Sequence, residues 1–342
     1  MHAMKVITVE EHFTTPEAMA VIQKYTASLP NQAEFKQYQK DMNAGLVGAT
    51  PAPGAMTDVL VERIRYMDEQ GIDMQVLSAA GITPQLLPAE LAIPATRELN
   101  EALAKYVEQK PDRFIGLATL PLKDPVASVE ELEYAVKKLD LRGALISGTI
   151  DGRFVDEPEF FPVFEKAAAL DVPIYIHPGY PTKAETDVLY KSDSYSAAVK
   201  SILSTPAFGW HMEAGIQVVR LIFSGIFDRL PNLKIISGHW GEFVPTFLNR
   251  LDDVTGPVES GLKKCFSEYY REHIYINPSG IFEYDQLLFN LNRVGADHMM
   301  WGEDYPFVKT NQAASFIEQA PISPESKEKI AHGTAEKLFK LY

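Results

Sequence analysis

The chain has a single cysteine, Cys265, in 342 residues. That excludes an internal disulfide framework and fits a reducing compartment, with Cys265 expected to be an inert thiol. Clustered lysine and arginine are missing too: the formal net charge is -14 and the pI about 5.1. Phosphate backbones are bound by basic stripes, so nucleic acid is excluded as a partner. No apolar run approaches the roughly 18 residues that span a bilayer, and no membrane partner is expected. Met1–Lys5 lacks the basic flank, apolar stretch and cleavage site of a secretory leader, so the expected location is the cytoplasm. Internal repeats and low-complexity tracts are absent.

What is present is apolar material. Hydrophobic residues make up 46% and charged residues 23% of the chain, enough for a large core. Short β-branched runs recur at Lys5–Glu10, Met74–Ala79, Phe114–Leu120, Gly143–Ser147, Pro173–His177, Lys234–His239, Ile274–Asn277 and Met299–Gly302. They are apolar throughout instead of alternating, the pattern of parallel strands covered on both faces. Helical stripes separate them. Leu60, Ile64 and Met67 recur at i, i+4 and i+7 within Asp58–Gln70, with Gly71 as a stop. Val129, Leu132, Val136 and Leu139 line one face of Val126–Leu139; Ile216, Val219, Ile222, Phe223 and Ile226 do so in Ala214–Arg229.

Eight strand-then-helix units predict a (β/α)8 TIM barrel occupying residues 1–342 as one domain, with an open doubly wound sheet as the alternative. Two connections are unusually long, 13–57 after strand one and 178–208 after strand five. Both insertions fall on the barrel face where active sites are built and are expected to form pocket walls.

The placement of carboxylates and imidazoles carries the chemistry. Glu10 and His12 close strand one, and alternate residues of an extended chain point the same way. Both therefore face one centre while Glu11 faces another. His177 ends strand five, His239 strand six and Asp304 strand eight. Singly, each has a plain structural explanation: a hydrogen-bonded histidine, a helix-capping aspartate, a solvated glutamate. Together they sit where barrel strands converge, and they predict a metal centre. No thiolate is available, since Cys265 falls in a helical stretch after strand six, and the oxygen and nitrogen donors suit one divalent ion, Zn2+ or Mn2+, with a position left open for substrate or water. Strand four ends in Ser147-Gly148 and offers no lysine to bridge a second ion.

Aromatic residues at Phe13, Tyr180, Phe208, Trp210, Tyr305 and Phe307 fall in mouth-forming segments and are candidates for a pocket wall. His211, opening a helix, either faces the pocket or serves as a surface or capping residue. His2, His273, His298 and His332 are read as structural or solvent-facing. Asn277-Pro278-Ser279-Gly280 either lines the site or makes a turn.

At several of these segments the chain resembles the amidohydrolase superfamily. They are Glu10-Glu11-His12-Phe13, Lys110-Pro111-Asp112-Arg113-Phe114-Ile115-Gly116-Leu117 with Leu120-Pro121-Leu122, and Ser224-Gly225-Ile226-Phe227-Asp228. Gly238-His239-Trp240-Gly241-Glu242, Asp304-Tyr305-Pro306-Phe307 and Thr334-Ala335-Glu336-Lys337-Leu338-Phe339 complete the set. Within that superfamily the resemblance is to the non-oxidative aromatic acid decarboxylases acting on γ-resorcylate, 2,3-dihydroxybenzoate and 5-carboxyvanillate. Aminocarboxymuconate semialdehyde decarboxylase is a more distant relative.

The resemblance implies Glu10, His12, His177 and Asp304 as metal ligands, with His239 and Glu242 as a pair that positions water or a proton. It implies a decarboxylase of an ortho-hydroxylated aromatic acid, with Asp304, His239 and Glu242 as catalytic residues. Phe13, Tyr180, His211, Arg250 and Phe307 are the expected substrate contacts, Arg250 near the site or at a subunit contact. A homodimer or homotetramer is expected. The alternatives are a metal-dependent hydrolase or hydratase acting on a small lactone, amide or enol acid, and a catalytically idle binding protein. The insertions after Phe13 and after strand five depart from the family pattern, which leaves the particular aromatic acid open.

Overall fold

Seven short parallel strands run in chain order through the computed structural model, which describes residues 4–29, 36, 40, 51–52, 54–81, 83–308 and 313–341. One sheet holds β1 (Ile7–His12), β2 (Met74–Ser78) and β3 (Phe114–Gly116). The other holds β4 (Ala144–Ser147), β5 (Ile174–His177), β6 (Ile235–Ser237) and β7 (Ile274–Ile276). Single parallel bridges join the two into a ring. Ala118 to Ala144 links β3 to β4, and an eighth segment is held between β7 and β1 by Ile276 to Met299 and Thr8 to Trp301. Backbone bonds Leu145 N–H to Ala118 O and Met300 N–H to Ile276 O, both 2.9 Å, and Val9 N–H to Trp301 O at 2.8 Å make these junctions. The ring is the expected eight-membered barrel, with its last member reduced to a bridge-length segment.

The unbroken apolar runs follow from burial on both faces. Ile7, Val9, Val76, Ile115, Leu117, Leu145, Tyr175, Ile236 and Met300 form the inner cluster, joined by Ala335, Leu338 and Phe339 of the C-terminal helix. The opposite strand residues, among them Leu77, Phe114, Ile146, Ile174, Ile235 and Ile276, pack under the helices against Leu99, Leu103, Leu132, Phe164 and Leu221. Each such side chain contributes about 1.5–3 kcal/mol relative to exposure.

Three element boundaries differ from the sequence expectation. The stripe from Asp58 becomes helical only at Glu62–Gln70, because 54–61 is taken up by turns and Asp58 accepts the Val61 N–H at 3.0 Å. The stripe Ala214–Arg229 is two helices, Gly209–Phe223 and Ile226–Arg229, broken where Gly225 adopts a φ of 70°. Cys265 is the cap preceding Phe266–His273, not a helical residue. The insertion after β1 contains the helix Pro16–Ser28; of its remainder, residues 30–35, 37–39, 41–50 and 53 lie outside the described set, as does His2. The insertion after β5 carries the helix Ala197–Ser204. No described helix is long and apolar enough to cross a membrane.

Candidate metal centre and active site

β1 does not alternate to its end. Its register against β2 slips between Val9 and Glu11, and Glu10 takes a φ of 81°. Ile7 and Val9 already belong to the inner cluster, so strict alternation would send Glu10 outward. The bulge returns it to the inside, and His12 follows on the same side. The shared orientation of Glu10 and His12 was expected; a bulge, not simple alternation, produces it.

Glu10, His12, His177 and Asp304 bring one donor atom each within 4.8 Å of one another. His12 Nε2 lies 3.1 Å from Asp304 Oδ1, and His177 Nε2 lies 3.4 Å from Glu10 Oε1. Nδ1 of His12 meets Ser78 Oγ at 3.3 Å, and Nδ1 of His177 donates to Pro178 O at 2.6 Å. With the outer nitrogens engaged, the Nε2 atoms are left for the centre. Glu10 Oε1, His12 Nε2 and Asp304 Oδ1 are buried with no hydrogen-bond partner among the described residues. Leaving such an atom unsatisfied costs about 1–3 kcal/mol, more if charged. Three of them converging is an arrangement that a divalent cation satisfies, and the four residues fit one.

Electrostatics agree. Burial, then Arg63, pushes the His12 imidazole down to about 3, and burial with the other histidines lowers His177 as well. Both rings are neutral and ready to ligate. Burial raises Asp304 to about 7 against the pull of His239 and His211, and burial and Asp304 raise Glu10. Without a cation these carboxyls hold protons; a divalent charge would displace them.

The backbone is strained where the donors are presented. Glu10, His239, Glu242, Ser279 and Asp304 have φ of 81°, 46°, 54°, 44° and 60°, a region that L-residues avoid. Such conformations cost on the order of 1–3 kcal/mol each and collect at functional sites. Glycine is required at Gly238, where a Cβ would stand 2.6 Å from each of Glu10 Oε2, Ser279 Oγ and the Tyr175 hydroxyl. Those three oxygens belong together: Tyr175 and Ser279 both donate to Glu10 Oε2, and Asn277 Nδ2 donates to the Tyr175 oxygen at 2.9 Å. Tyr175 escaped the sequence reading, although it lies two residues before His177 and so on the same side of β5. Of the two options for 277–280, the structure takes both: a turn whose Asn277 and Ser279 hold the Glu10 group.

Behind the centre, Glu11 fastens strand end one to strand end eight. Its oxygens accept the N–H groups of Glu303 at 3.0 Å and Tyr305 at 3.1 Å, flanking Asp304. Arg63, fully buried, donates to His12 O and to Gln75 Oε1 at 3.2 Å. Burial lifts the neighbouring Glu303 to about 8, so it keeps a proton at neutral pH.

A second cluster adjoins the first. Glu242 takes His239 Nδ1 on one oxygen at 2.7 Å and His211 Nδ1 on the other at 2.8 Å, while His211 Nε2 meets Pro206 O at 3.0 Å. Its donor atoms lie close enough to suit a metal. Here, however, they already satisfy one another, so the cluster is a hydrogen-bond chain. A cavity of about 140 Å³ opens beside it, bounded by Phe243, Thr246, Gln286 and Asn290.

The remaining candidates divide. The Phe307 ring lies 5.8 Å from that of His12, beside the centre, and Tyr180, three residues after His177, meets Trp210 edge-on at 5.6 Å. Phe13 does not line the site: following inward-facing His12, it turns out into the helix-covered layer against Tyr106 and is 1% exposed. Arg250 is solvent-exposed on the helix Val244–Thr255, whose buried residues are Val244, Pro245 and Leu248, so it is not brought to this centre. Tyr305 packs on Tyr66 at 4.3 Å under Arg63, behind the centre. His273 and His298 bond carbonyls and His332 bonds Glu328 and Glu336, all structural.

A parallel barrel whose strand ends present a Glu/His/His/Asp cluster defines the class, and the amidohydrolase family model matches residues 41–341. The chain belongs to that family. Among its relatives, γ-resorcylate decarboxylase of Rhodococcus jostii (strain RHA1) is 32% identical over 98% of each chain. The structure is similar to 5-carboxyvanillate decarboxylase from Sphingomonas paucimobilis, with a TM-score of 0.85 and 30% identity over 98% of this chain and 99% of that one. It is also similar to the dihydroxybenzoic acid decarboxylase from Polaromonas sp. JS666, solved with manganese and 2-nitroresorcinol. That match has a TM-score of 0.81 and 30% identity over 98% of this chain and 97% of that one.

Proposed function

We propose that the protein is a metal-dependent, non-oxidative decarboxylase of an ortho-hydroxylated aromatic carboxylic acid. The observation that carries this is the convergence of Glu10 Oε1, His12 Nε2 and Asp304 Oδ1, buried and without partners, with His177 beside them. That it occurs in a chain similar over its whole length to aromatic-acid decarboxylases directs the chemistry.

Direct loss of CO2 from an aromatic ring would leave an aryl carbanion, which is prohibitive. Protonating the ring carbon first gives a dearomatised intermediate; the carbon–carboxylate bond then breaks, its electrons return to the ring, and CO2 leaves. The balance is ArCO2⁻ + H⁺ → ArH + CO2. Glu10, His12, His177 and Asp304 would hold the divalent ion, manganese or zinc, which supplies Lewis acidity and a template for the phenolic and carboxylate oxygens. Asp304 is assigned as the acid that protonates the ring carbon; as a ligand whose proton the cation would displace, it must take up a proton again in each cycle before delivering it. His239, held through Nδ1 by Glu242, accepts or returns a proton at Nε2. Phe307 and the Tyr180–Trp210 pair exclude water from the ring face.

The reading treats residues 1–342 as one catalytic unit in the cytoplasm. Exposed Phe208, Met212, Ile216, Phe243 and Phe247 support self-association as a homodimer or homotetramer, which light scattering tests. The function is tested by incubating manganese- and zinc-loaded protein with salicylate, 2,6-dihydroxybenzoate, 2,3-dihydroxybenzoate and 5-carboxyvanillate. Metal-dependent release of CO2 and the matching phenol from at least one is expected. Inertness toward all of them, with turnover of a lactone or enol acid, would replace the decarboxylase with the hydrolase or hydratase alternative.

A further inference from the structure

We infer that His211 is a positioning residue, a built-in imidazolium that holds Glu242 ionised and through it locks His239 in the Nδ1–H tautomer with Nε2 as an acceptor. The starting point is its two partners. Pro206 O is a carbonyl and can only accept, so His211 Nε2 carries a proton. At Nδ1 the partner is Glu242 Oε2, at 2.8 Å. Either the carboxyl is protonated and donates to a neutral ring, or it is ionised and the ring carries both protons.

Three features select the second state. Glu242 is shared: its other oxygen faces His239 Nδ1 at 2.7 Å, so the ionised carboxylate can accept a charge-assisted bond from each ring, the stronger pairing. The two rings meet edge-on, 4.5 Å between centroids, an arrangement that the bridging anion supports. Burial opposes charge on both members. Nevertheless the Glu242 bond leaves His211 above the usual histidine range, and His239 and His211 draw Glu242 below the usual carboxyl range. The titratable groups facing His211 are Glu242 and His239 from the turn after β6, with Asp304 at longer range. Glu213, on the same helix, is committed to Gly179 N–H and Gln217.

The consequence reaches the metal centre. The negative charge of Glu242 raises both Glu10 and Asp304. A permanent cation at His211 neutralises that charge while leaving its orienting hydrogen bond to His239 intact. The functional part of this assignment rests on the decarboxylase reading; the protonation state does not.

The test uses zinc-loaded protein labelled with ¹⁵N-histidine. At pH 7.5 His211, assigned by loss of its signals in His211→Asn, is expected to show both ring nitrogens protonated, and His239 a single Nδ1–H tautomer. His211→Leu should release His239 into a tautomer mixture and lower kcat by about 10–100-fold at full metal content and little changed KM. His211→Asn places a neutral amide N–H where Nδ1 stood, so it should recover part of the His239 tautomer bias while kcat stays well below the wild type; full recovery of kcat would overturn the role given to the charge. A neutral His211 in the wild type, or a His239 signal and kcat unmoved in His211→Leu, would overturn the assignment. Absence of decarboxylation by the wild type would instead sink the functional reading, with the NMR result standing by itself.

Discussion

Tyr175→Phe isolates the group that holds Glu10 in place. The Tyr175 hydroxyl donates to Glu10 Oε2, leaving Oε1 without a partner and directed to the centre beside His177 Nε2. Phenylalanine keeps the ring and its packing in the inner cluster and removes only the hydroxyl. A hydrogen bond to a charged acceptor contributes about 1.5–3 kcal/mol, and about 1.4 kcal/mol is a factor of ten in binding. Ser279 still donates to the same oxygen, so the lower end applies. Metal affinity should fall about tenfold to thirtyfold, within the range seen when supporting groups around a ligand are lost. Asn277 Nδ2 also loses its acceptor, which should cost about 1–3 kcal/mol of stability. Competition against a fluorescent chelator measures the first effect and urea unfolding the second. Manganese affinity unchanged within about twofold in a folded variant would refute the idea that this hydroxyl orients the ligand.

Other consequences are simpler to state. Asp304→Asn should retain the fold but lose about 10²–10⁴-fold in kcat, since the amide cannot deliver the proton; wild-type turnover would remove Asp304 as the acid. Metal-free protein should lose thermal stability as pH rises from 6 to 8.5. Burial raises Asp304 to about 7 and Glu303 to about 8, so their protonated forms favour the folded state at low pH. The native groups keep protons that the unfolded chain has already shed, so stability falls by about 1.4 kcal/mol per group for each pH unit until that group's folded pKa is passed, and levels off above about 8. Metal binding needs the ionised ligands, so the gain in melting temperature on adding manganese should grow over the same range; melting curves with and without chelator show whether it does.

The barrel was legible because its strands are buried on both faces and their runs are unbroken. The ligands were legible because Glu10, His12, His177 and Asp304 all close such runs. What could not be read has definite physical causes. A bulge at Glu10 carries no residue signature, since glutamate is not a residue that favours a φ of 81°. Phe13 and Arg250 lie near ligand or catalytic segments in sequence but project elsewhere, one by alternation after His12 and the other by its helical face. The supports at Tyr175 and Ser279 look like core and turn residues until Glu10 is placed between them. For His211 the sequence allows pocket, surface and cap alike, and only the geometry of Glu242 joins it to His239.

The account depends on one ion sitting among four particular side chains. Anomalous diffraction from manganese-loaded crystals, recorded near the manganese absorption edge, addresses this directly. A single strong peak is predicted within bonding distance of Glu10, His12, His177 and Asp304. A peak among His211, His239 and Glu242 instead, or no peak at either place, would contradict it.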